Sequence, residues 1–248
     1  MPSNETLKKW AEEGFFIGPD EPLQRVQQRR SQQLARSRGS LLSLPSEFHC
    51  CPHGIPVHSS SQGLAPWEAA ATWISEEALP TIHIHPKPWF CQSSREEILH
   101  HEMVHALRAA FPPSSFEELL AHSLSKSSWR KKWGGLIHST WESLLLLSGS
   151  LIAGVLSFLS PKASVTVYSL SFCYLTYLML RNRRRHRLLD QAMQNITACF
   201  GEAAHSVAIR LTDEEILIMS RMNPEACRQY VLSQRSLRWQ QILAQFPI

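Results

Sequence analysis

At 248 residues the chain can hold one or two compact domains; its charged fraction of 19% is low for a soluble protein, and its 44% apolar content is unevenly spread. The net charge of +4 arises mainly from basic residues beside an apolar segment, which excludes a dedicated nucleic-acid binder and favours membrane flanks. Six cysteines at irregular spacing, one of them inside the apolar segment, and no N-terminal signal peptide exclude a secreted disulfide framework and fit reduced thiols in a cytosolic setting.

Residues 1–40 are polar and form an N-terminal helical segment. Leu7 to Glu13 predicts a short helix ended by Gly14. Asp20 is the expected cap of a second helix, with Pro22 near its start, running to about Arg36. Its Gln and Arg content reads as a solvated face. The stretch HCCPHGIPVH, His49 to His58, is punctuated by Pro52, Gly54 and Pro56, so it reads as an irregular loop with buried thiols that leads into a short strand. Its Cys and His spacing fits no metal-ligand pair.

Pro66 and the run Trp67 to Leu79 predict a short helix ended by Pro80. Thr81-Ile82-His83-Ile84-His85 then alternates as a strand, with imidazoles at 83 and 85 on one side. Those two rings face solvent or contact the site that follows.

That site is the stretch Ser94 to His122. His101, Glu102 and His105 make the pattern H-E-x-x-H. On a helix, positions i and i+4 share a face, so two imidazoles one turn apart can reach one zinc ion. The glutamate beside the first histidine can then take a proton from water activated by the metal. The helix itself is well specified. Ser94 and Glu97 read as a capping box, no Gly or Pro interrupts Arg95 to Ala110, and Pro112-Pro113 stops it. Two histidines leave a catalytic zinc one protein ligand short. Ser114-Ser115 starts a new helix, and Glu118 in its first turn can fold back toward His105. Glu117 is its immediate rival and Glu202, in GEAAH, a more distant one. His122, one turn after Glu118, is placed to orient a ligand by hydrogen bonding. Arg108 is expected to pair with Glu117 or Glu118 rather than to stabilise an oxyanion, because a cation at the metal would weaken binding.

His101-Glu102-Met103-Val104-His105 followed by Glu118-Leu119-Leu120-Ala121-His122 resembles the zincin metallopeptidases of the gluzincin type. The resemblance covers about thirty residues. It implies Zn2+ held by His101, His105 and Glu118, with Glu102 as general base acting on a peptide or protein substrate. It also implies that the strand at 81–85 is the sheet edge that lines the cleft and pairs with an extended peptide. Membrane-bound zinc proteases of the CAAX-processing and stress-response kind place a hydrophobic hairpin between their motif halves, a layout Glu202 would copy. Glu202 has Ser206 four residues on, not Asp or His, which favours Glu118.

Residues 123–143 interleave Lys126, Arg130, Lys131 and Lys132 with Trp129, Trp133 and Trp141, as at a membrane surface. Leu144 to Ser160 and Ala163 to Leu180 are apolar runs of 17 and 18 residues, separated by Pro161-Lys162. Each is long enough, as a helix, to span most of a hydrocarbon core of about 30 Å. The run Arg181 to Arg187 follows. Basic clusters at both outer ends place both termini and the active site in the cytoplasm, by the positive-inside rule. Residues 188–248 return to helical character, with Thr212/Glu215 as a capping box and Asn223-Pro224 as N-cap and first helical residue. The last helix reaches about Phe246.

The expectation is therefore an α+β protein. A mainly helical, zincin-like catalytic domain with a small β-sheet spans 41–125, a two-helix transmembrane hairpin 144–180 and a helical C-terminal region 188–248. The expected partners are a peptide substrate and the lipid bilayer, and not nucleic acid. The alternative is a non-enzymatic membrane protein with a structural or degenerate zinc site.

Overall fold

The computed structural model describes residues 1–36, 48–65, 68–86, 94–137 and 139–248. Helix α1 covers Asn4–Glu12 and α2 covers Leu23–Ala35. The first begins three residues before Leu7 because Ser3 caps it, its hydroxyl accepting from the Thr6 amide at 3.2 Å. Asp20 does not cap the second. The cap position is Pro22, and Glu21 instead accepts from the Gly18 amide and the Arg29 guanidinium. Nor is the Gln/Arg face wholly solvated. Arg29 and Gln33 are buried, with Arg29 also donating to the Phe16 carbonyl at 2.7 Å.

Three strands follow: β1 (Val57–Ser59), β2 (Ala70–Ile74) and β3 (Pro80–Ile84). The sheet order is β1-β3-β2, with β1 parallel and β2 antiparallel to β3. Two expectations are corrected here. The predicted helix over 67–79 is instead strand β2 and its turn, while Pro66-Trp67 lies outside the described residues. Pairing of Ala70–Ile74 with Pro80–Ile84 overrides the helix propensity of the Ala and Glu residues, and Ala78 turns the chain at φ 57°. Strand β3 is also not an edge: it sits between the other two. Its alternation is as expected, with Ile82 and Ile84 buried and His83 on the opposite face, between His58 and Trp73.

Helix α3 (Arg95–Leu107) carries the H-E-x-x-H pattern. It ends a turn before the two prolines, at Arg108, whose buried guanidinium leaves the helix to bind two distant carbonyls. Helices α4 (Glu117–Ser123) and α5 (Ser128–Trp133) follow. Then come α6 (Thr140–Leu159) and α7 (Pro161–Phe200). Both are long and apolar enough to cross a membrane. Many of their apolar residues point outward: Leu151, Phe158, Leu170 and Phe172 are exposed, as on a surface that meets lipid or another protein. Ser164 donates across the pair to the Ala153 carbonyl at 2.8 Å, and Ser150 and Ser169 bond their own helices.

The chain breaks at Ser160, and Pro161 occupies the first turn of the next helix. That helix does not stop at the arginine run. It continues unbroken for 40 residues, since nothing between Lys162 and Phe200 interrupts it, and ends at Gly201 with φ 56°. Its last turns enter the core. Leu189, Ala192 and Ile196 pack with Ile82 and Ile84 of the sheet, Met103 and Val104 of α3, and Leu119 and Leu120 of α4. A 3-10 turn (Gly201–Ala203) leads to α8 (Ala204–Ala208), α9 (Asp213–Met219), α10 (Pro224–Ser233) and α11 (Leu237–Gln245). Val207, Ile216, Trp239 and Ile242 complete the same core. The Thr212/Glu215 capping box and the Asn223 cap form as expected. A smaller cluster of Leu7, Phe15, Ile17 and Val26 closes the other end.

Candidate metal centre

Helix α3 presents His101 and His105 on one face, their Nε2 atoms 3.3 Å apart. Glu118, in the first turn of α4, places Oε2 3.6 Å from His101 Nε2 and Oε1 3.4 Å from His105 Nε2. Bonds of about 2.0–2.1 Å at tetrahedral angles put ligand atoms roughly 3.3–3.4 Å apart. The His101–His105 spacing matches one such edge, the Glu118 contacts are made by its two different oxygens, and His101, His105 and Glu118, with one ligand atom each within 4.8 Å of the others, could hold a metal ion.

Why Glu118 and not its neighbour follows from the turn. The α4 cap is Phe116, without a side-chain hydrogen bond. Asp213, the first residue of α9, accepts from the Ser115 amide at 2.6 Å and from the Ser114 hydroxyl. Glu118 is therefore not needed as a cap for Ser115 and turns to the imidazoles. Glu117 points the other way. Its Oε1 lies 2.6 Å from His105 Nδ1 and its Oε2 3.3 Å from Arg108 Nε. This carboxylate sits behind the ring, fixes its orientation and directs Nε2 at the metal position. Arg108 pairs with Glu117, as one of its expected roles had it, and donates to the Ile209 and Leu211 carbonyls at 2.8 and 2.9 Å.

Glu202 is exposed on the 3-10 turn and stands outside the group. His205 does return to the region, 3.2 Å from Ser123 Oγ at the end of α4. His122 lies against the ring of His101, with centroids 4.5 Å apart and the planes tilted by 50°, and its Nε2 is 3.7 Å from Glu118 Oε2. His83 and His85 do not line the cleft. Ser94 caps α3 as expected, but Glu97 forms only half of the capping box. Its carboxylate instead accepts from Ser125 and pairs with Arg130 at 3.3 Å, tying α3 to α5.

Electrostatics favour a cation at this point. Burial disfavours charge on His105, yet the carboxylates of Glu117, Glu118 and Glu102 outweigh it and raise the ring to about 9. The same carboxylate field that holds a proton there would hold a divalent ion. His101 is pushed well down by burial and by His105, His122 and Arg130, so it is the neutral, ligating form. Glu102 is 8% exposed, and burial pushes its carboxyl up against the opposing pull of His105 and Thr72. The Thr72 hydroxyl, from β2, donates to Glu102 Oε2 at 2.8 Å. The edge strand of the sheet thus positions the motif glutamate. An open cleft of about 530 Å³, lined by Ala70, His101, Glu102, His122, Trp129 and Arg130 among others, gives access to the site.

Two features of the site escaped the sequence reading. One is the Glu117 clamp on His105. The other is the pair Gly134-Gly135, which passes directly against α4. A methyl group on Gly134 would run into the His122 ring, and one on Gly135 (φ 74°) would stand 2.8 Å from Leu119 Cδ1 and 3.3 Å from Glu118 Cβ. Adjacent glycines just after a basic, aromatic helix were the available signal.

Glu117→Gln is expected to weaken divalent-metal binding by about 10–100-fold, the usual effect of losing a partner behind a ligating histidine. Competition with a chromophoric chelator checks it.

Compared with models of protein families, with curated proteins and with solved structures, the chain matches none.

Proposed function

We propose that the chain is a membrane-anchored zinc metallopeptidase of the zincin type, with Glu102 as general base. The observation that carries this reading is the cluster of His101, His105 and Glu118, with one ligand atom each within 4.8 Å of the others and a buried carboxylate one residue from the first of them. Zinc suits two imidazoles and a carboxylate that leave a fourth position open, and when bound it supplies Lewis acidity toward a peptide carbonyl and water.

The chain's own residues do the rest. Glu102 accepts a proton from the attacking water as its oxygen bonds to the carbonyl carbon. It then returns that proton to the nitrogen as the C–N bond breaks. Its carboxyl, pushed up by burial, is a stronger base than an exposed carboxylate, which favours taking a proton from water. Thr72 holds one oxygen of Glu102 and leaves the other for this exchange. Arg108 is occupied by Glu117 and two carbonyls, so its role is structural. The basic residues at both outer ends of the apolar pair, Lys126–Lys132 and Arg181–Arg187, support a cytoplasmic side for both termini and the cleft.

The test is metal analysis of the purified full chain, followed by peptide hydrolysis with and without chelator. One zinc per chain is expected, with hydrolysis lost on chelation and restored by zinc. His101→Ala and His105→Ala should each abolish both. Zinc that is retained without hydrolysis of any peptide would mark a structural site instead.

A further inference from the structure

The geometry points to a substrate class: peptide bonds a few residues away from a membrane anchor. This deepens the peptidase reading and rests on it.

The chain leaving the cleft for the membrane is packed against the metal-binding residues themselves. Gly135 lies against Glu118 and Leu119, and Gly134 against His122, with room only for hydrogen. The next residue, Leu136, accepts at its carbonyl from the Arg181 guanidinium at 3.2 Å. Arg181 directly follows the last apolar residue of the second candidate span, Leu180. The same guanidinium pairs with Glu142 near the start of α6. A second clasp holds the cleft rim: Asn182 donates to the Lys132 carbonyl at 3.2 Å, two residues from Arg130, which lines the cleft.

These links bound the depth of the site. Gly135 is six residues from Trp141, and even a fully extended chain covers only about 21 Å over that length. Adding the length of the Glu118 side chain, the metal position stands within roughly 30 Å of the hydrocarbon edge. Aromatic residues mark the same level. Trp129, on the cleft wall, is 69% exposed and Trp141 is 75% exposed, as tryptophans are where a protein meets lipid headgroups. A polypeptide anchored in the same bilayer reaches the cleft with a spacer of about six to ten extended residues. A soluble peptide gains nothing from this placement, and a long tether dilutes the scissile bond away from the surface.

Two measurements on the zinc-loaded full chain in phosphatidylcholine vesicles test this. First, a fluorescent amino acid replaces the exposed Ser128 beside the cleft. Quenching by headgroup-nitroxide lipid is expected; no quenching by any nitroxide lipid would overturn the placement. Second, a peptide pool randomised over eight positions is offered in three forms, with cleavage read by mass spectrometry. It is attached to a single membrane anchor through about eight residues, attached through about 40 residues, or left free. Cleavage of the short-tether form about tenfold faster than the long-tether form is expected, from the −3/2 power dilution of a flexible tether. Equal rates for all three, or faster cleavage of the free pool, would overturn the substrate class and leave the peptidase intact. No cleavage of any form by zinc-bound protein would remove the peptidase reading and this inference with it.

Discussion

Glu102→Gln is expected to keep its zinc and to lose peptide hydrolysis by roughly 10²–10⁴-fold, the range contributed by a positioned general base. The substitution changes little else. Gln has the shape of Glu, and its carbonyl oxygen can still accept from Thr72, which lies 2.8 Å from Glu102 Oε2. Glu102 is not among the residues that can hold the ion, so elemental analysis should give the same metal content. What disappears is the ability to take a proton from water. Hydrolysis at the wild-type rate by this variant would sink the mechanism, while loss of zinc together with activity would show that Glu102 belongs to the ligand set.

Arg108→Leu carries the largest expected cost to stability. The residue is 2% exposed, and its guanidinium is shared among the Glu117 carboxylate and the Ile209 and Leu211 carbonyls. Leucine fills part of the volume but leaves a half-buried carboxylate and two carbonyls without donors. Breaking a buried pair in this way costs about 3–5 kcal/mol. At about 2–4 °C per kcal/mol for a chain of this size, thermal unfolding of the solubilised protein should come on the order of 10 °C earlier. Zinc affinity should fall as well, because Glu117 loses the partner that holds it behind His105. An unchanged unfolding midpoint would show that water replaces the guanidinium at no cost.

The central helix of the site was legible in the sequence because its signals are local. Ser94 caps it, no breaker interrupts it, and the i, i+4 histidines share a face whatever the rest of the chain does. The caps at Thr212 and Asn223 were legible for the same reason. Choosing between Glu117 and Glu118 was harder. They are adjacent and both reach the imidazoles, Glu117 at His105 Nδ1 and Glu118 at the two Nε2 atoms, on a turn that is held in part by Asp213, 98 residues beyond Ser115. The strand at Ala70–Ile74 was hidden because the Ala and Glu residues around it favour a helix, which masked the strand preference of Thr72, Trp73 and Ile74 that pairing with Pro80–Ile84 realises. The unbroken α7 was hidden by composition. A shift from apolar to arginine-rich looks like a boundary, yet arginine is a good helix former and the backbone has no reason to stop. The apolar helical hairpin itself was readable from composition, and the structure has two helices there that are long and apolar enough to cross a membrane, with many apolar residues facing outward.

The clasp on the α3–α4 turn has a consequence for the order in which the molecule is made. Ile209, Leu211 and Asp213, which grip Arg108, Ser114 and Ser115, are translated about a hundred residues later, after both apolar helices. While the ribosome is still delivering the hairpin, the histidine pair and its glutamate exist without their brace. The candidate metal centre is braced last, once both apolar helices have already been synthesised.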